Sequence, residues 1–168
     1  MNKHLFAFLL TGLVTITFPV SSYAADGFYI GVVGGAMDND RSGFDQALNA
    51  GITLGYEFQG VGIGDVAIEG TYTTTIDEGD APRGRRWEIE TLAAYGVFRT
   101  AGPVYLKAKA GVVSNDIEIG RSSSDDTEFS AGLGVGFSIG IGQFEIEYTE
   151  VDDDIDFISL TLNLKTPF

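Results

Sequence analysis

Apolar residues fall at every second position in segment after segment of this chain, and a period of two is the signature of a strand with one apolar and one polar face. The last segment is the clearest: Ile158, Leu160, Leu162 and Leu164 alternate with Ser159, Thr161, Asn163 and Lys165. Leu48, Ala50, Ile52, Leu54, Tyr56 and Phe58 alternate with Asn49, Gly51, Thr53, Gly55 and Glu57, and Val66, Ile68, Tyr72 and Ile76 with Ala67, Glu69, Thr71 and Thr73. Trp87, Ile89, Ala93, Tyr95 and Val97 oppose Glu88, Glu90, Ala94 and Gly96. Val104, Leu106, Ala108, Ala110 and Val112 oppose Lys107, Lys109 and Gly111; Phe129, Leu133, Val135, Phe137 and Ile139 oppose Ser130, Gly132, Gly134, Gly136 and Ser138. Phe144, Ile146 and Tyr148 oppose Glu145 and Glu147. With Phe28 to Gly35 as the first segment, the pattern predicts eight strands and an all-β, antiparallel up-and-down barrel. Leu92, Phe98 and Tyr105 are bulky exceptions on the polar face, read as fillers of the interior.

The amino-terminus is of another kind. Lys3 and His4 precede an apolar run from Leu5 to Val20, and Ser22-Tyr23-Ala24 offers small residues three and one before a cut. This is the layout of a secretory signal peptide over residues 1–24, with residues 25–168 as one barrel domain. Removing Lys3 takes Lys plus Arg from ten to nine against 24 Asp plus Glu, so the net charge moves from −14 to −15. Nucleic-acid binding is disfavoured by that balance, because phosphate contacts need a basic surface. The chain has no cysteine and 23 glycines without a collagen-like period. An exported domain of this kind holds together by backbone pairing and burial rather than by disulfides.

Alternation alone leaves a soluble barrel and a membrane barrel open. An eight-stranded barrel has an interior just wide enough for side chains, so the Gly, Ser and Thr of the polar face fit inside and the bulky apolar face belongs outside, against lipid. Aromatics near segment ends, at Tyr56, Phe58, Trp87, Tyr95, Phe144 and Phe168, read as interfacial girdles. The connections also alternate. Phe58 to Asp65, Arg99 to Pro103 and Ile139 to Gln143 are short, whereas Met37 to Gln46, Ile76 to Arg86, Ser114 to Thr127 and Glu150 to Asp156 read as more charged external loops.

The closing aromatic Phe168 after an alternating strand resembles the signal by which the assembly machinery recognises bacterial outer-membrane barrels. From about Gly27 to Phe168 the rhythm resembles the small OmpA-like and OmpX-like outer-membrane barrels. That resemblance implies a monomer in the bacterial outer membrane, in contact with lipid and lipopolysaccharide. It also implies periplasmic termini and short turns, and no added periplasmic domain.

On the polar face, Glu69, Lys107, Lys109, Glu145 and Glu147 form a candidate lumen charge network, with Glu57 and Lys165 nearer the periplasmic rim. Charges withdrawn from water must pair. The set reads either as a hydrogen-bonded plug or as a narrow ion path. Asp152, Asp153, Asp154 and Asp156, and separately Asp116, Glu118, Asp125, Asp126 and Glu128, are acidic enough to interest a hard cation. The Asp run lacks the spacing of a calcium loop, and a solvated loop is the expectation. Arg83, Arg85 and Arg86 before Trp87 offer either lipopolysaccharide phosphate contacts or a solvated turn. Gly132, Gly134 and Gly136 lie within a strand, which rejects a phosphate loop.

No catalytic, cofactor or metal site is expected. The only histidine is His4, in the segment predicted to be cleaved, whereas lipid-modifying barrel enzymes generally use a histidine near an acid or a serine. The expectation is a non-catalytic surface barrel with acidic external loops, supporting envelope integrity or surface contacts. A narrow pore and a lipid-modifying enzyme are the alternatives.

Overall fold

The computed structural model describes residues 27–58, 60, 62–120 and 122–166. The predicted signal segment, its cut after Ala24 and the terminal Phe168 lie outside the described residues. Nine strands follow one another: β1 (Gly27–Asn39), β2 (Ala47–Phe58), β3 (Gly64–Asp77), β4 (Gly79–Ala81), β5 (Arg85–Thr100), β6 (Val104–Ile119), β7 (Ser122–Ile139), β8 (Gly142–Asp152) and β9 (Ile155–Lys165). Each long strand pairs antiparallel with its neighbour in sequence, β1 closes on β9, and β3 pairs with β5. The result is a closed eight-stranded barrel without a free edge around the wall, with β4 a short ribbon added to β5 above it.

The exposed apolar residues face outward. Ile30, Val32, Leu54, Ile68, Leu106, Leu133, Val135, Ile146 and Leu160 all stand at 50% exposure or more, while Thr53, Glu69, Lys107, Lys109, Glu145, Glu147, Thr161 and Asn163 are buried in the lumen. An aqueous surface so apolar over the whole circumference is untenable, so this band is the lipid-facing belt. At its short-turn end, Phe28, Tyr56 and Phe58 stack edge to face, and Phe137 lies parallel to Phe144 with ring centroids 4.9 Å apart.

The faces of β5 are opposite to those read from the sequence. Trp87, Ile89, Ala93, Tyr95 and Val97 point into the barrel, and Leu92 is 63% exposed toward lipid. Trp87 and Tyr95 are therefore interior groups rather than girdle aromatics, and of the expected fillers only Tyr105 is one. The register fixes this: Arg99 sits opposite Lys107 and Phe98 opposite Ala108, so once Lys107 points inward the odd residues of β5 must follow. A second difference lies in the connections. Ser114 to Thr127 is no loop, because β6 and β7 remain paired from Val104↔Phe137 up to Ile119↔Ser122 and turn at Gly120, whose φ of +66° suits glycine. Nor is Glu150 to Asp156, where β8 and β9 turn tightly at Asp153 and Asp154.

Leu92→Cys and Ala93→Cys distinguish the two assignments of β5. A probe at position 92 is expected to be quenched by lipid-soluble agents and one at position 93 to be shielded; the opposite result would restore the inverted reading.

Candidate functional site

Among the described residues the lumen is where charge is concentrated and buried, and it is built in two layers. The layer toward the short turns is ionic. Lys107 Nζ lies 2.8 Å from Glu145 Oε2, 3.0 Å from Glu147 Oε1 and 3.2 Å from Glu69 Oε2. Arg99, on the adjacent strand, donates its Nε to Glu145 Oε1 at 2.7 Å and an Nη2 proton to Glu69 Oε2 at 3.3 Å. Its Nη1 stands 3.7 Å from Glu57 Oε2, a charge contact rather than a hydrogen bond. Glu57 is also paired with Lys165 at the rim. Lys109 Nζ lies 3.0 Å from Glu147 Oε2 and 4.7 Å from the centre of the Tyr95 ring.

Four carboxylates thus meet four cations. Neutral groups complete the layer: Tyr29 donates to Glu69 at 2.8 Å, Tyr105 to Glu145 at 2.8 Å and Asn163 to Glu145 at 3.2 Å. The two tyrosines owe their place to glycines directly across the ladder. A Cβ on Gly55 would come within 2.0 Å of the Tyr29 ring, and one on Gly136 within 2.6 Å of the Tyr105 ring. Any larger residue there would push the phenol off its carboxylate.

The structure brings together all five residues of the predicted network, Glu69, Lys107, Lys109, Glu145 and Glu147. Sequence reading missed Arg99, which touches three of the four carboxylates. The alternation places Arg99 in the short connection to Pro103, and its spacing of two, four and eight residues from Val97, Tyr95 and Thr91 is the signal that puts it on their face.

The layer at the opposite end is mainly apolar, with the buried amides of Asn39, Asn49 and Asn115 set into it. Met37, Ala47, Ala81, Trp87, Ile89, Val113, Val151, Ile155 and Phe157 are all buried there. The Trp87 indole donates to the Asp45 carbonyl at 2.8 Å, and Phe44 meets its ring edge-on at 6.1 Å. The connection between β1 and β2 is thereby folded over the barrel mouth, and Asp45 N–H bonds the Asp80 carbonyl of β4 at 2.9 Å. Between the layers lies a small cavity of mixed lining, with Glu69, Lys109, Glu147, Thr149 and Tyr95 on one side and Met37, Val113 and Phe157 on the other.

The surface candidates are more dispersed. Asp154 accepts both Nε and Nη2 of Arg41, at 3.0 and 2.7 Å, and Asp152 bonds the Asp153 amide. Among the described residues no cluster of three acidic or histidine side chains converges as a metal site. Arg86 reaches Glu78 at 3.5 Å and Arg85 donates to the Pro82 carbonyl at 3.2 Å, while Arg83 holds φ of 70° in the turn between β4 and β5. Their neighbour Trp87 is interior, so the arginines lack the interfacial aromatic that suggested lipid contact. Glu90, Asp116 and Asp125 stand side by side across β5, β6 and β7, as do Glu88 and Glu118. Like charges directly opposite repel. Burial together with Asp125 holds the Asp116 carboxyl above its ordinary range, burial with Glu118 does the same at Glu88, and Asp152 with burial at Glu128.

Lys107→Met and Arg99→Met each leave buried carboxylates unpartnered, and are expected to destabilise the barrel by about 3–5 kcal/mol in denaturant melts in lipid. Lys165→Met should cost less than either, because Lys165 is partly exposed and Arg99 Nη1 still stands 3.7 Å from the Glu57 it leaves behind. Glu88, Asp116 and Glu128 bind protons more tightly folded than unfolded, so the projecting β6–β7 hairpin should gain order as pH falls through and just above the ordinary carboxylate range. A spin label at Ser124→Cys should report lower mobility at acid pH, and Asp116→Asn should shrink that response.

Residues 6–168 match the family described as outer membrane protein beta-barrel domain. No curated protein matches the chain in sequence. Among solved structures, Neisserial surface protein A is similar at 17% identity and a TM-score of 0.59, covering 83% of this chain and 97% of that one. Ail, the attachment invasion locus protein of Yersinia pestis, in complex with a heparin analogue, is similar at 16% identity and a TM-score of 0.57, over 83% of this chain and 95% of its own. The outer membrane enzyme PagL is similar at 16% identity and a TM-score of 0.54, over 82% and 99%. At such identities the likeness is one of fold. The family match spans nearly the whole sequence, and with the lipid-facing belt it has one meaning: the chain belongs to the outer membrane protein β-barrel family and resides in the bacterial outer membrane.

Proposed function

We propose that the protein is a non-catalytic, monomeric surface barrel whose lumen is a structural plug and whose external strands and turns make contacts at the cell surface. The observation that carries this reading is the balanced set of four carboxylates and four cations across the lumen, roofed by the apolar layer around Trp87. A conducting path needs charged groups that face water. Here each charge is spent on a neighbour, and a second, largely apolar layer lies in series with the first. The same argument disfavours catalysis in the lumen, since a mutually neutralised network offers no free base or nucleophile to a substrate. That a similar fold serves an enzyme in PagL bears on the fold, which hosts many functions.

Arg83, Arg85 and Arg86 remain candidates for lipopolysaccharide phosphate. They crown β4 and β5 on the external side, and Arg86 is the outward-facing member of that turn. Delivery to the membrane by the barrel assembly machinery belongs to the same proposal. In planar bilayers the protein is expected to give no stable conductance, and Lys107→Met, which leaves the layer around Trp87 in place, should give none either. Large, steady conductance in the unmutated protein would replace the plug with a pore. Lipid A recovered after incubation with the protein should be unchanged in mass, and loss of an acyl chain would overturn the non-catalytic reading.

A further inference from the structure

The β6–β7 hairpin, flanked by β5 along the β6 side, rises past β8 and leaves the β7 edge bare. β7 pairs with β6 from Phe137 up to Ser122, but its pairing with β8 stops at Ala131↔Glu150. From there β8 turns back into β9 through Asp153 and Asp154. Among the described residues no other strand pairs with Ser122–Phe129. Eight residues of strand present roughly 25 Å of unpaired backbone. Ser124 to Thr127 are exposed.

This edge is acidic on both faces. Asp125 shares its face with Phe129, which is exposed toward lipid, and Asp126 and Glu128 lie on the other. Asp116 stands opposite Asp125 in the ladder, and Asp152 and Asp153 border Glu128. None of these carboxylates takes part in an ion pair among the described residues, whereas Asp154 and Glu78 nearby do. A bare edge invites pairing with another strand, and charge decides which. A second copy of this hairpin would bring like charge against like. A strand bearing Lys or Arg would relieve the Asp116–Asp125 repulsion as well as gain its own contacts.

We propose that the Ser122–Phe129 edge of β7 takes up an extended segment of a cationic polypeptide by strand addition. Main-chain hydrogen bonds supply the docking, and basic side chains on the two faces of the added strand meet Asp125 on one side and Asp126 and Glu128 on the other. The inference rests on the surface-contact reading above and names the chemistry of the partner.

The test uses the full protein in nanodiscs of zwitterionic lipid. The probes are a fluorescent eight-residue peptide of Lys-Lys-Thr-Val repeats, its counterpart with Glu for Lys, and the Lys peptide N-methylated at alternate backbone nitrogens. Anisotropy should show binding of the Lys peptide and none of the Glu peptide. N-methylation, and separately the triple variant Asp125→Asn, Asp126→Asn, Glu128→Gln, should each weaken binding by about tenfold or more. Removing repelling charges does not threaten the fold, so the variant reads the interface. Equal binding of the methylated peptide would reduce the site to counter-ion attraction and overturn strand addition, and an unaffected triple variant would place the contact elsewhere. A closed lumen without peptide binding retires this edge and leaves the surface role standing; a conducting barrel that binds the peptide does the reverse.

Discussion

A barrel in lipid has no water to lend its interior, and every charge in the lumen has to be answered by another. Arg99 and Lys107, neighbours across β5 and β6, answer most of them, holding Glu69 and Glu145 between them while each reaches one further carboxylate, Glu57 and Glu147 respectively. The carboxylates come from β2, β3 and β8, so the network ties strands on opposite sides of the barrel that share no backbone hydrogen bonds. Desolvating such a set is costly, and its net contribution to stability need not be large. What it does provide is a condition on register: a slip of one residue in any of these strands would turn a charge into the bilayer.

The second constraint is that the strands are longer than the membrane is thick. Within the belt the outward face is apolar and the inward face polar. Above it, where β5, β6 and β7 stand in water, Glu88, Glu90, Asp116 and Glu118 face outward and Trp87, Ile89 and Val113 pack inside. The apolar parity of β5 therefore inverts partway along the strand, from Trp87 and Ile89 inside to Leu92 and Phe98 outside. The upper part behaves as a small water-soluble core, and its burial of Trp87 anchors both the β1–β2 connection and β4. The lower part is the ionic network, and a small cavity lies between the two.

The alternation of single residues was enough to determine strand number, the lipid-facing side of six of the seven strands whose faces it assigned, and which of Glu69, Lys107, Lys109, Glu145 and Glu147 point inward, because each of those six strands keeps one apolar parity where it meets lipid. It could not determine β5, where residues from two solvents share one strand and both parities carry bulky apolar groups. There the side chains follow from pairing: Arg99 opposite Lys107 makes the odd residues inward, and no property of β5 alone states that pairing. Nor could sequence tell the acidic stretch from Ser114 to Thr127 from a loop, since a projecting hairpin in water is polar on its exposed faces, as a loop is. Which strands end early and which continue is a property of neighbours in the sheet, and only the tertiary structure decided that β8 turns back while β7 goes on.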